Sequence, residues 1–463
     1  MGFIKTNLDR RKFLKVGSMA FAAPLLLKVS GLISTATAKA AATAQKVTDA
    51  YNKAIDKMVE GTRKRMARAV GWGSGKLVTS QDLINTASSS VTYNPFWTNE
   101  SYAAGTRWAG LIAYPMYSTG GNMITTVESE TPDCGFDLQL WPGQDWEFYQ
   151  AIRVNDTVRA WNREPELIEQ KVDRGGVRGF VNVEGDYDMI NQRNEIVTST
   201  KNYTVRIFYP SGPPGTKYTL DRYGFTEAEI IYLDKLARQT AVRGKDIRYW
   251  EDVKVGDALN PVVIGPTNFQ DIANQGGGGA APGGAGTGGS VPGMAGMGGG
   301  MGGGRGGAGA QEQKPIDQLL EKEGVIGERE YLQDKTTGYY YKGGGDTLRH
   351  WDDYGARIEG EPGAFLWGMM SIKAMTRCLT NWIGDDGFVR KYKWRHVTRT
   401  LVGDAAFSQG KVVNKRNENG EYLVDIFIWH TDMRGYIVDA AVATVALLSK
   451  TKNYTDFKKV IKY

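Results

Sequence analysis

The chain has 463 residues, of which 41% are hydrophobic and 11% aromatic, so it is an ordinary globular protein long enough for two or more domains. Its formal net charge of +6 comes from residues 1–40, where seven Lys and Arg stand against one Asp, and the remainder is about neutral. A neutral body argues against nucleic-acid binding, which requires a basic surface, and we predict no nucleic-acid partner.

Residues 1–40 are predicted to form an export signal. The motif DRRKFLK, with the pair Arg10 and Arg11, resembles the twin-arginine signal, and an apolar stretch and small residues suited to cleavage follow it. Gly, Pro and Lys interrupt the apolar stretch, which disfavours a membrane anchor because an anchor needs about 20 apolar residues. We therefore expect the twin-arginine machinery as a partner and the periplasm as the location. An uncleaved arm on a cytoplasmic protein is the alternative.

Four segments are expected after the signal. They are a spacer helix within 41–75, a first α/β domain at 76–210, a linker and helix at 211–247, and a second α/β domain at 248–463. The linker is marked by SGPPGTK at 211–217. Thr226 and Glu229 then form a capping box, which predicts a helix over 225–244 between the two domains.

The two domains are predicted to be copies of one another. The matching segments, in order, are 77–84 with 263–272, 93–103 with 347–356, 152–158 with 400–406, and 191–205 with 432–446. These matches align Trp97 with His350 and Asp156 with Asp404. Because the order is kept and only the loop lengths differ, a duplication is the simplest explanation. Alternating apolar and polar positions late in each copy predict antiparallel sheet.

No metal or cofactor is predicted. The second copy carries a Gly-rich insert, 275–312, whose composition is typical of a flexible coil. Its Met294, Met297 and Met301 have thioethers that suit Cu(I), but no His or Cys lies nearby, so we interpret the insert as a linker. The acidic DDG at 385–387 is interpreted as a helix-ending turn and not as a metal site.

The two cysteines, Cys134 and Cys378, are too few for a disulfide framework. Cys134 lies in a segment rich in Pro, Asp and Gly, and Cys378 lies in an apolar helical run. Both are therefore interpreted as structural thiols.

Several motifs resemble those of the MaoC-like acyl dehydratases, in their two-domain form with an N-terminal fatty-acid-synthase-type dehydratase domain. They are NPFWTNESYAAGTRWAGLIAYP (94–115), QDWEFYQAIRVND (144–156), RYWEDVKVGDALNPVVIGPTNFQDI (248–272) and LTNWIGDDGFVRK (379–391). The resemblance implies an α+β double hot-dog fold, in which two antiparallel sheets each wrap around a central helix. In the second copy that helix would span 364–384, an apolar stretch suited to burial.

The resemblance also implies an activity, the reversible addition of water to a trans-2-enoyl thioester to give a 3-hydroxyacyl thioester. This chemistry needs a general base for the water and an N–H donor where the thioester oxygen gains negative charge. A helix N-terminus supplies such a donor, and the acyl chain needs an apolar groove. The implied partner is an acyl thioester such as an acyl-CoA, with no cofactor.

The hydratase element of the family matches the second copy around His350. The element is Asp-x-Asn-Pro-x-His, with an Ala six residues and a helix-starting Gly eighteen residues beyond the His. Here these positions are His350, Ala356 and Gly368. The resemblance therefore implies that His350 takes part in base catalysis and that the N–H of Gly368 is the oxyanion donor.

The carboxylate of this element is displaced. Its position falls on Gly345, whereas Asp346 lies one residue late, so Asp346 is the weaker catalytic candidate. Asp352 and Asp353 are less favoured substitutes. The structural alternatives are a hydrogen-bonded histidine at the helix entrance of a decayed site for His350, a solvated turn for Asp346 and close packing for Gly368.

The first copy is predicted to have lost its site, because the positions of the Asp, His and Gly hold Thr92, Trp97 and Pro115. It is expected only to shape the acyl groove. The remaining histidines, His396 and His430, lie in strand-like segments and are interpreted as structural.

Two functions are compatible with these patterns. The first is a hydro-lyase acting on an enoyl or 3-hydroxyacyl thioester, or on an activated analogue present in the periplasm. The second is an exported, catalytically degenerate hot-dog protein that binds an acyl ligand or acts as a scaffold. A homodimer is an open alternative to a monomer in either case.

Overall fold

The computed structural model describes residues 70–119, 138–163, 167–170, 179–207, 222–268, 331–333, 340–342, 350, 353–358 and 361–451. The predictions for the export signal, the spacer helix as far as residue 69, the 211–217 linker, Cys134 and the Gly-rich insert lie outside these residues. Residues 71–75, predicted as the end of the spacer, belong to a strand instead. None of the helices within the described ranges is long and apolar enough to cross a membrane.

The described residues form thirteen strands. In chain order they are β1 (Gly71–Leu77), β2 (Leu138–Phe148), β3 (Thr157–Asn162), β4 (Leu167–Gln170), β5 (Gly179–Asn191), β6 (Ile196–Ile207), β7 (Val262–Ile264), β8 (Tyr331–Gln333), β9 (Tyr340–Lys342), β10 (Phe388–His396), β11 (Ala406–Glu418), β12 (Glu421–Asp432) and β13 (Ile437–Leu447). The strands β8 and β9 pair only with each other, and the other eleven share one sheet.

The large sheet repeats one strand order in its two halves. The first half runs β1-β3-β5-β6-β2, with β4 paired to β5, and the second half runs β7-β11-β12-β13-β10. The pairings are antiparallel throughout. The two separate sheets expected from the sequence are in fact one, because β2 pairs with β10. This pairing satisfies backbone N–H and C=O groups that each half would otherwise expose at an edge.

Close packing and charge pairs hold β2 against β10. A Cβ on Gly143 would lie 2.5 Å from the carbonyl oxygen of Trp394, so only glycine allows the two backbones to approach this closely. Arg395 lies 2.5 Å from Asp145 across the pairing, and Lys391 forms an ion pair with Glu147. The junction between the halves is therefore part of the sheet itself.

One ion pair occurs in both halves. Asp156 is 5% exposed and lies 3.4 Å from Arg193, in the turn between β5 and β6. Asp404 is 1% exposed and pairs with Arg434, in the turn between β12 and β13. The sequence match aligned the two aspartates, and the shared ion pair agrees with the repeated strand order.

Five α-helices accompany the sheet in the described residues. They are α1 (Ser80–Ser89), α2 (Glu100–Ala104), α3 (Glu227–Arg238), α4 (Asp353–Ile358) and α5 (Gly368–Ile383). The helix α3 begins at the predicted capping box of Thr226 and Glu229, but it ends at Arg238 and so is shorter than predicted. The helix α1 has a capping box of its own, formed by Thr79 and Asp82.

The helix α5 lies against the second half of the sheet. Thirteen of its 16 residues are buried, with contacts to β7 and to strands β10 to β13. It begins at Gly368, four residues later than predicted, because residues 364–366 run instead alongside 400–402. The N–H of Leu366 donates to Thr400, and that of Val402 donates to Ala364. The helix ends at Ile383 and is followed by the capping residue Gly384, whose φ of 74° suits glycine.

Cys378 on α5 is expected to be inert in the folded protein. It is fully buried, its thiol donates to the carbonyl oxygen of Asn260, and burial raises its pKa to about 12. Thiolate is the reactive form, so at pH 8 the native thiol should react with Ellman's reagent at least about 100-fold more slowly than the unfolded thiol. The Cys134→Ser variant isolates this measurement. Rapid stoichiometric labelling of the native variant would contradict the structural role.

Candidate functional site

The N-terminus of α5 is the centre of the predicted site. Gly368 is the first residue of the helix, and the preceding residue, Trp367, provides no side-chain cap. The first N–H groups of a helix have no acceptor within the helix, and the helix dipole adds positive potential there. The N–H of Met370 already donates to the carbonyl oxygen of Trp367. Gly368 therefore has the position that an oxyanion donor needs, and its catalytic role stays a prediction.

Two indole rings also pack at Gly368. A Cβ added to Gly368 would lie 2.9 Å from Cη2 of Trp394 and 3.5 Å from Cε3 of Trp141. The two rings contact each other, with centroids 4.7 Å apart, and Nε1 of Trp141 donates to Asn202. Close packing thus requires a glycine here in its own right.

Replacement of Gly368 by Ala is expected to lower the free energy of unfolding by about 1–3 kcal/mol, because the new methyl group meets the buried indole of Trp394. Ala favours a helix over Gly by about 1 kcal/mol, so a net decrease in the free energy of unfolding can be attributed to the clash with Trp394. Urea denaturation measures the change. The matched control is Gly224→Ala, where nothing lies within 4 Å and the change should stay within about 1 kcal/mol. Equal stability of Gly368→Ala and wild type would contradict the packing argument.

His350 lies against the segment that leads into α5. Its Nδ1 is 2.7 Å from the carbonyl oxygen of Phe365. A carbonyl oxygen only accepts, so Nδ1 carries the hydrogen and the lone pair of the neutral ring is on Nε2. The imidazole also contacts the rings of Phe365 and Trp367, with centroids 4.6 and 5.6 Å away. His350 and Gly368 are therefore brought to the same end of α5.

The carboxylates predicted to assist His350 are only partly visible. Asp346 and Asp352 lie outside the described residues. Asp353 accepts from the N–H of Ala364 at 2.8 Å and from Arg222 at 2.8 Å. Both of its oxygens are engaged in holding the chain before α5, so Asp353 acts as a structural residue and is the poorer substitute for a catalytic carboxylate.

The corresponding position in the first half is apolar. Trp97, in place of the His, is 5% exposed and packs edge-on against Tyr114, with ring centroids 5.1 Å apart. Both residues line a cleft with Pro115 and with the largely apolar side chains around Phe148. Thr92, in place of the Asp, accepts only the N–H of Asn94, in a long contact of 3.4 Å. This small cleft, which Ile383 and Phe388 of the second half also line, is mostly apolar and lacks the predicted catalytic groups.

The acidic DDG turn connects the halves. Asp385 is 1% exposed, and its two oxygens accept from Asn94 at 2.7 Å and from Tyr102 at 2.8 Å. Its carbonyl oxygen accepts from the indole of Trp108. Burial and the hydrogen bond to Asp385 raise the pKa of Tyr102 to about 12, so Tyr102 is a neutral donor. The turn follows the end of α5, as predicted for 385–387.

Four adjacent strands carry a row of polar side chains that was not predicted from the sequence. In the strand register, His396 lies opposite Asp439, Asp439 opposite His430, and His430 opposite Ser408. Nδ1 of His396 is 2.7 Å from Oδ1 of Asp439, and Nδ1 of His430 is 2.8 Å from Oγ of Ser408. His396 and Asp439 are 43 positions apart in the sequence, and Ser408 and His430 are 22 apart. Residues this far apart form no recognisable spacing motif, so these contacts could not be predicted. We call these four residues the polar row.

No family model matches the sequence, and no curated protein matches it. Among solved structures, a MaoC-like dehydratase is similar with a TM-score of 0.50 and 14% identity, over 83% of this chain and 100% of that chain. A conserved hypothetical protein from Mycobacterium tuberculosis, described as having a double hotdog fold, has a TM-score of 0.40 at 9% identity, over 81% of this chain and 94% of its own. A MaoC-like dehydratase from Phytophthora capsici has a TM-score of 0.40 at 11% identity, over 84% and 99%.

At such identities the similarity concerns the fold. The chain has the hot-dog fold seen in MaoC-like dehydratases, with a large antiparallel sheet and few helices. The activity of the protein is therefore a matter for proposal from its own residues.

Proposed function

We propose that the protein is an acyl-thioester hydratase or dehydratase, which adds water reversibly to a trans-2-enoyl thioester to give a 3-hydroxyacyl thioester. One observation carries the proposal. An imidazole, His350, is held by the carbonyl oxygen of Phe365 and contacts Trp367, the residue before the first residue of α5, in a hot-dog fold.

The chemistry follows from these positions. Nε2 of His350 is the nitrogen that can take a proton from water, because Nδ1 donates to Phe365. The N–H of Gly368, at the positive end of α5, would donate to the thioester oxygen as it becomes an enolate. Water oxygen then bonds to C3, and a proton is delivered to C2. Asp346, four residues before His350, would orient the water.

A second function is favoured by the indole rings at Gly368. Trp394 and Trp141 pack so closely there that a methyl group does not fit. A small apolar cleft around Trp97 and Phe148, which Phe388 of the second half also lines, lacks the predicted catalytic groups. An acyl ligand could thus be bound without being converted, and the protein would then be a binding or scaffold protein.

The test is hydration of a short trans-2-enoyl-CoA by the purified protein without its leader, followed as the loss of the enoyl-thioester absorbance. Steady-state turnover that is proportional to protein concentration supports the hydratase. If no enoyl thioester of any chain length is hydrated but saturated acyl-CoA binds in calorimetry, the binding function replaces it.

The location is proposed from the leader. We propose that the protein is exported by the twin-arginine machinery, since DRRKFLK contains the Arg10 and Arg11 pair before a weakly apolar stretch. Residues 1–45 fused to a folded fluorescent reporter should send it to the periplasm, and replacement of both arginines by Lys should keep it in the cytoplasm. A reporter that stays in the cytoplasm with the native arginines would refute export.

A further inference from the structure

The polar row lies on the face of the sheet that α5 covers. His396 follows Trp394 by two positions on β10, so the two side chains are on the same face. Trp394 is fully buried and contacts Gly368, and its ring centroid is 6.1 Å from that of His396. The row is therefore placed at the N-terminal end of α5, near the predicted oxyanion donor.

Within the row, His396 and Asp439 have the geometry of a general base and its orienting carboxylate. Asp439 is fully buried, and a carboxylate only accepts, so Nδ1 of His396 carries the hydrogen of their 2.7 Å bond. The lone pair of the neutral imidazole is then on Nε2. The side chain of His396 keeps 13% exposure, whereas the side chains of Asp439 and His430 are fully buried.

The other end of the row is buried and neutral. Burial lowers the pKa of His430 to about 4, so it carries no charge at neutral pH. Nε2 of His430 and Oδ2 of Asp439 are both buried and have no hydrogen-bond partner among the described residues. Such unpartnered atoms are costly, and they are common where a protein maintains a functional site.

A serine nucleophile does not explain the row. Ser408 is fully buried, and its hydroxyl contacts Nδ1 of His430. Asp439 forms its hydrogen bond with a different histidine, His396. The reactive end of the row is therefore the exposed side of His396, with the buried members behind it. A metal ion is not favoured either, because no group of three or more His, Cys, Asp or Glu within the described ranges is placed to hold one.

We propose that His396 and Asp439 are the catalytic imidazole–carboxylate pair of the site at the start of α5. This inference rests on the proposed hydratase function and explains how the site works although Asp346 is displaced from its expected position. Nε2 of His396 takes a proton from water as the water oxygen bonds to C3, and the electron pair of the double bond moves to the thioester oxygen. The same proton then passes to C2, which returns His396 to its neutral form.

His350 has a different part in this arrangement. Its Nδ1 is held by a neutral carbonyl group, whereas that of His396 is held by a carboxylate. A carboxylate partner fixes the tautomer of the ring and faces the imidazolium that forms when the ring accepts a proton, which is why the proton transfer is assigned to His396. His350 then binds the water or the thioester beside Gly368 and supports the transfer.

The experiment measures hydration of a short trans-2-enoyl-CoA by the full mature chain with His396→Ala and, separately, Asp439→Asn. Each change is expected to lower kcat by at least about 100-fold, as for loss of a general base. Added imidazole should raise the kcat of His396→Ala at least tenfold, because free imidazole can occupy the space left by the missing side chain. The matched control is Asp425→Asn on β12, whose carboxylate bonds Thr444 on β13, and which should keep near-wild-type kcat.

The outcomes separate the two proposals. An active wild type with an equally active His396→Ala overturns the pair and leaves the hydratase function in place. Loss of activity without imidazole rescue, in a variant that is folded by circular dichroism, assigns His396 a structural role and also overturns the pair. If His396→Ala does not fold, the nearly isosteric Asp439→Asn decides, and unchanged kcat overturns the proposal. A wild type that hydrates no enoyl thioester overturns both the function and the pair.

Discussion

Replacement of His350 by Gln is expected to lower kcat for enoyl-thioester hydration by about 10²–10⁴-fold, the usual contribution of a positioned group that exchanges a proton with the reacting water or holds that water in place. Gln retains a polar side chain that can donate to the carbonyl oxygen of Phe365, so the local fold should persist. The amide cannot exchange a proton at neutral pH, and the chemical step is what should suffer. Stopped-flow or steady-state absorbance with saturating substrate gives kcat.

The control for this variant is Tyr354→Phe, four residues along the chain. Tyr354 is 40% exposed, and the change removes only a hydroxyl group. Its kcat should stay within about threefold of wild type, which corresponds to less than about 0.7 kcal/mol in the barrier. If both variants lose activity alike, the effect belongs to the packing of this segment. If His350→Gln retains full activity, His350 has no part in the reaction.

Replacement of Asp385 by Ala is expected to reduce the free energy of unfolding by about 2–5 kcal/mol. Two donors, the buried Asn94 and the half-buried Tyr102, would lose their acceptor, and an unsatisfied buried donor costs about 1–3 kcal/mol. The donors come from the first half and the acceptor from the end of α5, so the change weakens the contact between the halves. Urea unfolding followed by tryptophan fluorescence measures it.

The neighbouring Asp386 supplies the control. It lies 3.7 Å from Arg107, and burial raises its pKa above the usual value. A raised pKa means that folding disfavours the charged form, so at neutral pH the neutral Asp386→Asn variant should lose less than about 1 kcal/mol. A loss as large as that of Asp385→Ala would show that the charge of the turn matters more than its hydrogen bonds.

Much of the fold could be predicted because its signals are local or repeated. The match of 191–205 with 432–446 aligned two strand pairs, and the structure shows the same order and the same Asp–Arg pair in both halves. The joining of the sheets through β2 and β10 could not be predicted. It depends on the close approach of the β2 and β10 backbones at Gly143. A single glycine in the sequence does not indicate which strand it will pack against. The late start of α5 has a similar cause, since residues 364–366 bond to a distant segment.

Only the part of the site that follows from spacing along the chain, His350 and Gly368, could be predicted from the sequence. The eighteen residues from His350 to Gly368 indicated that both would meet at the start of a helix, and the structure places them there. Strand register, and not spacing, brings His396 to Asp439, so a histidine in a strand looked structural. The indole of Trp394 over Gly368 is likewise a contact between elements that no motif records.

The pairing of β2 with β10 has a consequence for how the two halves can differ. β2 and β10 are corresponding strands, each the last in the strand order of its half. Their pairing therefore resembles the interface between two identical subunits. In a true homodimer each substitution would appear on both sides. Because both halves belong to one chain, the same position of the repeat can hold Trp97 in one half and His350 in the other. One half can therefore present an apolar surface while the other retains ionisable groups.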